Sequence, residues 1–314
     1  MTTPTILAKS TDQKGGRARK RPGTHRVWPW LLPLALLLAV VLIYPILEVI
    51  RLSFTDASLI AGQPYSYTTS SYGWLLGSDA FRQTVSTTFL FVLFSTVFQV
   101  SLGLAAALLV NGAERRGLRG PVVTRTVVLI AWAIPGVIIG VIWRLLYQES
   151  RSGILNYGLS LFGGSGQTPF LSDPHLALIS VTVANIWRGT ALSMILCYAG
   201  LKTIPTDVYD AAKVDGANAA QTLRRVTLPM MMPILTTTLV LVVVETFNTF
   251  DMVLSLTGGG PGTATQVLAL SIYDQIFRQL NVGQGAATAV VLMVINLIMI
   301  LVYLRLVERQ ERTA

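Results

Sequence analysis

Residues 204–233 read IPTDVYDAAKVDGANAAQTLRRVTLPMMMP. This is the longest polar, helix-patterned interruption in a chain that is otherwise mostly hydrocarbon. Asp207 is placed to cap a short helix, and Asp210 falls near its first-turn amides, where a carboxylate is favourable. Ala211 and Ala212 give that helix a small-residue face. Asp215-Gly216 then breaks it, because glycine turns a chain at little steric cost. A second helix is expected from about Ala217 to Thr227, with Ala220, Leu223 and Val226 as its apolar stripe. Pro229 and Pro233 mark the start of the next apolar run. A plain helix-turn-helix linker between two membrane spans has this outline. A soluble DNA-binding helix-turn-helix does not, because apolar runs flank the segment on both sides.

The composition around this segment is that of a membrane protein. Of 314 residues, 52% are hydrophobic and 12% charged, about half the charge of a soluble domain. The mean hydropathy is +0.60. A lone Cys197 excludes an intrachain disulfide. His25 and His175 are far apart and without a ligand cluster, so no metal is expected.

Six transmembrane helices are expected, in an all-α membrane protein, at about 27–52, 83–110, 122–147, 176–201, 234–256 and 286–304. Val27 to Leu47, within the first, carries no charge and is about the 20 residues a bilayer requires. Trp28 and Trp30 stand at the first as interfacial anchors, and Glu48 and Arg51 share a face near its end. Pro135-Gly136 lies near the middle of the third, where irregular backbone is tolerated if it lines a cavity. Residues 1–26 form a basic tail expected to be disordered and positioned to touch anionic lipid, and 308–314 a second tail. The glycine-rich 163–166 is no phosphate cradle, since no strand precedes it and no lysine closes it.

Charge orients the spans. With the N-terminus in the cytoplasm, that side holds 18 of the 24 Lys+Arg: seven in the tail, four around 115–125, four in 202–225 and three after the last span. The positive-inside rule therefore places both termini and residues 204–233 in the cytoplasm. It also accounts for the net charge of +9 without nucleic acid.

The run Asp210-Ala211-Ala212-Lys213-Val214-Asp215-Gly216-Ala217, followed by Leu228-Pro229, resembles the EAA loop of bacterial ATP-binding-cassette (ABC) importer permeases, with Asp210 where glutamate is usual. Leu256-Thr257-Gly258-Gly259-Gly260-Pro261, Gly283-Gln284-Gly285-Ala286-Ala287 and Tyr44-Pro45 with Ser53-Phe54-Thr55 are similar to elements of its sugar-transporting, maltose-permease-type branch. The likeness extends over most of 28–307, a permease domain expected at 27–307, with the coupling loop at 204–229.

The resemblance implies a type I ABC importer permease fold in the bacterial cell membrane. It implies that the chain is not itself an enzyme and binds no cofactor. ATP and Mg²⁺ would sit on a partner, since this chain has no Walker lysine motif. The implied partners are a second permease subunit in a heterodimer, two copies of an ATP-binding subunit, an extracytoplasmic sugar-binding protein and the lipid bilayer. Asp210, Ala211, Ala212, Asp215, Gly216 and Ala217 would couple to the ATPase as a ball in a socket.

Landmarks shared with the family bring Trp132, Gly136, Asn185, Gly189, Leu192, Thr246 and Thr249 onto sugar-lining positions. Trp132 offers a stacking face; Asn185 and the threonines offer hydrogen bonds. Glycine and threonine also serve ordinary packing between membrane helices. Arg188 and Glu245 are each costly facing lipid, at about 2.5–3.5 kcal/mol for a central charge, so a mutual pair beside the pathway is expected. A phosphorylated polyol such as glycerol phosphate is an alternative cargo, because Arg188 could meet a phosphate. An ion-coupled secondary transporter is a second alternative, disfavoured because no inverted repeat is visible and the 204–233 loop has no role in it.

Overall fold

A computed structural model describes residues 28–60, 63–150 and 153–313. The basic tail 1–26 lies outside them. The chain divides into two units, Met1–Leu47 and Glu48–Ala314. The described residues are helical, with two isolated β-bridges, Thr55 to Tyr67 and Ser58 to Asn281.

Helix α1 runs Trp28–Leu38, widens into a π turn at Ala39–Ile43 and continues as Tyr44–Ser53. Short α2, Ser70–Gly77, leads into α3, Asp79–Arg115. The third expected span is two helices, α4 (Pro121–Ala133) and α5 (Gly136–Leu146), meeting at 99°. Pro135 is the cause. It cannot donate to the helix ladder, and it forces Ile134 to extended backbone (φ −71°, ψ 130°). Next come α6 (Ile154–Leu161), α7 (Pro174–Thr203) and α8 (Thr206–Val214).

Helix α9 corrects a second expectation. It is continuous from Ala219 to Phe247, through both Pro229 and Pro233. Pro229 has no N–H to return to Arg225, and its ring would crowd that carbonyl. A π turn at Leu223–Thr227 opens the ladder there, and the Leu228 N–H reaches the Leu223 carbonyl. The span expected at 234–256 therefore begins earlier and ends at Phe247, and α10 (Asp251–Leu256) is a separate helix. Helix α11 covers Leu268–Tyr273 and a π turn at Asp274–Arg278; α12 runs Val282–Thr313, well past the expected end at 304. Among the described residues, five helices are long and apolar enough to cross a membrane, or six if the bent α4–α5 pair counts as one.

The spine of the larger unit is α3 against α7. Ala107, Ala184 and Ala191 are fully buried along it. A Cβ on Gly103 would stand 2.8 Å from the Met194 amide nitrogen. Small residues let two backbones approach where hydrocarbon supplies no hydrophobic drive. One core, built on Phe91, Ile139, Met252, Val253, Leu256 and Leu268, gathers α3, α5, α7, α9, α10, α11 and α12. The other, built on Val110, Met194, Leu201 and Met231, sits toward the α8 end. Helices α5 and α10 pack backbone to backbone: a Cβ on Gly140 would lie 2.6 Å from the Met252 carbonyl oxygen.

Side chains staple the loop between α5 and α7. Buried Asn156 donates to the Gln148 and Thr168 carbonyls (3.1 and 3.2 Å) and accepts from the Thr168 N–H (2.8 Å). Glu149 accepts from the Leu171 and Ser172 amides at 2.6 and 2.7 Å, and from the Ser172 hydroxyl. Partial burial pushes the Glu149 carboxyl up, but these three donors outweigh it and hold it below the usual carboxylate range. A depressed acid stabilises the loop above its unfolded pKa and loses that contribution as pH falls through the folded one. Hydrogen exchange at Leu171 and Ser172, corrected for intrinsic rate, is therefore expected to lose protection as pH falls into and below the ordinary glutamate range, about 4.3. Protection unchanged across that range contradicts the staple.

Candidate functional site

A polar cleft opens among the apolar helices. Its lining is Gln99 of α3, Trp132 of α4, Asn185, Arg188 and Gly189 of α7, Glu245 and Thr246 of α9, and Thr249 just beyond. Each contribution follows from helical spacing. Residues 185, 188 and 189 fall on one face of α7, and 245, 246 and 249 on one face at the end of α9. Gly189 matters through what it lacks: a Cβ there would stand 2.6 Å from Gln99 Nε2. That space lets the buried Gln99 amide cross to α7 and donate to the Asn185 carbonyl at 2.9 Å.

Asn185 is 3% exposed, and its Nδ2 has no hydrogen-bond partner. A buried donor left unpaired costs about 1–3 kcal/mol and marks a place where a ligand atom or water is wanted. Trp132, 42% exposed, turns its Nε1–H to Glu245 Oε1 at 3.4 Å. Thr249 Oγ1 donates to the Glu245 carbonyl at 3.0 Å. The free space is about 10 Å³, room for about one water. A sugar ring does not fit inside this cleft, so the cleft can serve only as one wall of a larger site.

Two expected members lie elsewhere. Gly136 opens α5 beneath Asp251, whose carboxylate occupies the place a Cβ would take. Leu192, one turn along α7 from Gly189, is not among the lining residues. The expected ion pair also changes partner. The carboxylate within 4.0 Å of Arg188 is Asp251 Oδ1, not Glu245. The backbone break after Phe247 turns Asp251 back toward α7, while Glu245 faces Trp132. Gln99 was overlooked by sequence reasoning, although an amide flanked by Phe98 and Val100 in an apolar span is a visible signal.

The 204–229 segment is a second candidate site. Helix α8 starts after Pro205 with no side-chain cap; Asp207 sits in its first turn instead of capping it. It ends in a Schellman motif: the Ala217 N–H returns to Ala212 at 2.9 Å and the Gly216 N–H to Lys213 at 3.0 Å. Gly216 carries φ +74°, which favours glycine. Asn218 then opens α9 with a reciprocal capping box to Gln221, both bonds 2.9 Å.

The paired alanines divide. Ala212 is buried against the chain and Ala211 faces out beside Val214, which is 88% exposed. Consecutive helical residues point about 100° apart, so they cannot share one face. Asp210 pairs with Lys213 at 2.8 Å, and that hydrogen bond holds its carboxyl below the usual range. From the inner side, Tyr209 lies under the Arg115 guanidinium, 3.9 Å from the ring centre. Near that end of α3, Glu114 meets Lys202 at 3.0 Å and also the Tyr198 hydroxyl. Helix α8 is thereby fixed to the α3 end by its buried face and free on the other.

Known proteins share this architecture. The trehalose/maltose transport system permease protein of Thermococcus litoralis is 33% identical over 276 residues, 88% of this chain and 91% of that one. The sulfoquinovosyl glycerol transport system permease protein of Agrobacterium fabrum is 31% identical over 282 residues, 90% of each. The sn-glycerol-3-phosphate transport system permease protein of the same organism is 31% identical, over 77% of this chain and 80% of that one. In structure, a chain of a bacterial ABC transporter that imports the acidic polysaccharide alginate superposes with a TM-score of 0.77 at 23% identity, covering 91% of this chain and 96% of that one. The model of one family matches residues 99–312, which take in the cleft, α8 and the apolar helices around them, and the chain accordingly belongs to the family of binding-protein-dependent transport system inner membrane components.

Proposed function

We propose that this chain is the transmembrane subunit of an ATP-driven, binding-protein-dependent carbohydrate importer in the bacterial cell membrane. It forms half of the translocation pathway beside a second permease subunit. A sugar-binding protein delivers cargo from outside, and two ATP-binding subunits hydrolyse ATP below. Its N-terminus, its C-terminus and α8 face the cytoplasm, as the charge distribution favours.

The observation that carries this reading is the polar cleft. Amide, indole, hydroxyl and carboxylate groups converge within a bundle of apolar helices, in a chain whose relatives are named for trehalose/maltose, sulfoquinovosyl glycerol and sn-glycerol-3-phosphate transport. An indole face with hydrogen-bonding groups at its edge suits a sugar ring, apolar on its faces and hydroxylated around its rim. The cleft's small volume fits a half-site whose other wall is the partner permease. Helix α8 supplies the coupling: Ala211 and Val214 offer a small, exposed apolar face to an ATPase groove, and Tyr209 ties the helix to α3. ATPase closure then acts as a rigid-body push on the spans.

The test is sugar-stimulated ATP hydrolysis by the purified complex across neutral mono- and disaccharides. Stimulation by at least one sugar is expected. Asn185→Leu is expected to lower it tenfold or more with the complex still assembled, because the cleft then loses its free donor. A complex stimulated by amino acids or peptides and by no carbohydrate refutes the reading.

A further inference from the structure

We propose that this subunit's wall of the pathway selects uncharged carbohydrate and excludes anionic cargo such as sugar phosphates, with Glu245 as the excluding residue. The inference rests on the reading of the cleft as a transport site. It is carried by the charges around that cleft. Arg188 is the one cation among its lining residues, and two carboxylates stand around it. Asp251 Oδ1 lies on one side, 4.0 Å from Arg188 Nη1, an ion-pair distance beyond hydrogen-bond reach. Glu245 lines the cleft itself, kept there by the Trp132 indole. The set therefore carries one carboxylate more than it has cations.

An incoming phosphate meets two obstacles here. Arg188 Nε is unpartnered just as Asn185 Nδ2 is, so both obstacles come from the carboxylates around the guanidinium. The Nη1 edge is already directed at Asp251. Any anion close enough to displace Asp251 also faces Glu245, and like charges repel strongly where water is sparse. A neutral sugar meets none of these. Its hydroxyls can donate to the Glu245 carboxylate, which has lone pairs beyond the one the indole uses. They can also accept from the unpaired Asn185 Nδ2. Glu245 thus serves as a hydroxyl acceptor and an anion filter at once. The phosphorylated-polyol alternative is weakened, since one carboxylate stands 4.0 Å from Arg188 Nη1 and a second lines the same cleft.

The experiment uses the whole importer in proteoliposomes, with its binding protein saturated. Uptake of the best neutral disaccharide from the panel above is compared with that of its 6-phosphate. The wild type is expected to carry the neutral sugar at least tenfold faster. Glu245→Gln, nearly isosteric, is expected to narrow that ratio at least fivefold. Asp251→Asn, which releases Arg188 toward the cleft, should narrow it as well. The same binding protein serves every variant, so its own preference cancels from these changes. Equal wild-type uptake of both sugars overturns the exclusion and leaves the sugar reading standing. A ratio unmoved by both substitutions also overturns it. Uptake of the phosphate without the neutral sugar overturns the exclusion and the neutral-sugar cargo together. Should Glu245→Gln fail to assemble, the wild-type ratio and Asp251→Asn still decide.

Discussion

Gly216→Pro is expected to lower ATP-coupled transport a hundredfold or more while the complex still assembles and hydrolyses ATP. The backbone at Gly216 has φ +74°, and proline is locked near −65°. Proline also has no N–H, so the 3.0 Å bond from Gly216 to the Lys213 carbonyl disappears. The Schellman motif cannot form, and the turn that aims α8 away from α9 must take another path. Most of the chain's core lies elsewhere, around Phe91 and Leu256, so the damage stays local. Gly216→Ala keeps the N–H and meets only the steric cost of positive φ, about 1–2 kcal/mol, so a partial defect is expected. Gly216→Asn, better tolerated at such φ, should be milder still. The check is the ratio of sugar moved to ATP hydrolysed in reconstituted complex. A normal ratio in the proline variant means that α8 does not couple the two.

Gly103→Leu should act on the fold itself. A Cβ at Gly103 would lie 2.8 Å from both the amide nitrogen of Met194 and the carbonyl carbon of Ser193. Those are backbone atoms, so no rotamer change relieves the contact; α3 and α7 must separate. Overpacking usually costs about 1–3 kcal/mol, and a whole isobutyl group against a backbone falls at or beyond the top of that range. Loss of most folded protein from the membrane fraction is expected, with a clear drop in the melting temperature of the remainder. Gly112→Leu is the internal control. It sits in the same helix with nothing within 4 Å of its Cβ position. It should be neutral or slightly stabilising, because glycine is the poorer helix former by up to about 1 kcal/mol. If the two variants behave alike, the α3–α7 contact is not the spine of the fold.

The apolar runs made the long helices legible, since about 20 uncharged residues have few other structures open to them. The breaks were less legible. Pro135 announced an irregularity, but not a 99° turn into a second helix. The break at Asn248–Phe250 has neither proline nor glycine to announce it, and tertiary packing of α10 against α5 decides it. Pro229 and Pro233 misled in the opposite direction, because a π turn absorbs the first within a continuous helix. For the cleft, the α7 stripe of Asn185, Arg188 and Gly189 follows from helical spacing alone. The partner of Arg188 does not: ranking Glu245 against Asp251 needs the geometry of the break between them. Ala211 and Ala212 show the same limit on a smaller scale, for their identity was readable and their division between a buried and a free face was not.

The central claim is that this chain works in an importer powered by ATP and supplied by a binding protein. Inside-out geometry is not needed to test it. Right-side-out vesicles or proteoliposomes carrying the full complex, with ATP inside and loaded binding protein outside, should accumulate labelled neutral disaccharide. Accumulation should stop without ATP or without the binding protein, and should persist when an uncoupler collapses the proton gradient. Uptake that survives ATP removal and is abolished by the uncoupler would contradict the account and assign the chain to ion-coupled transport.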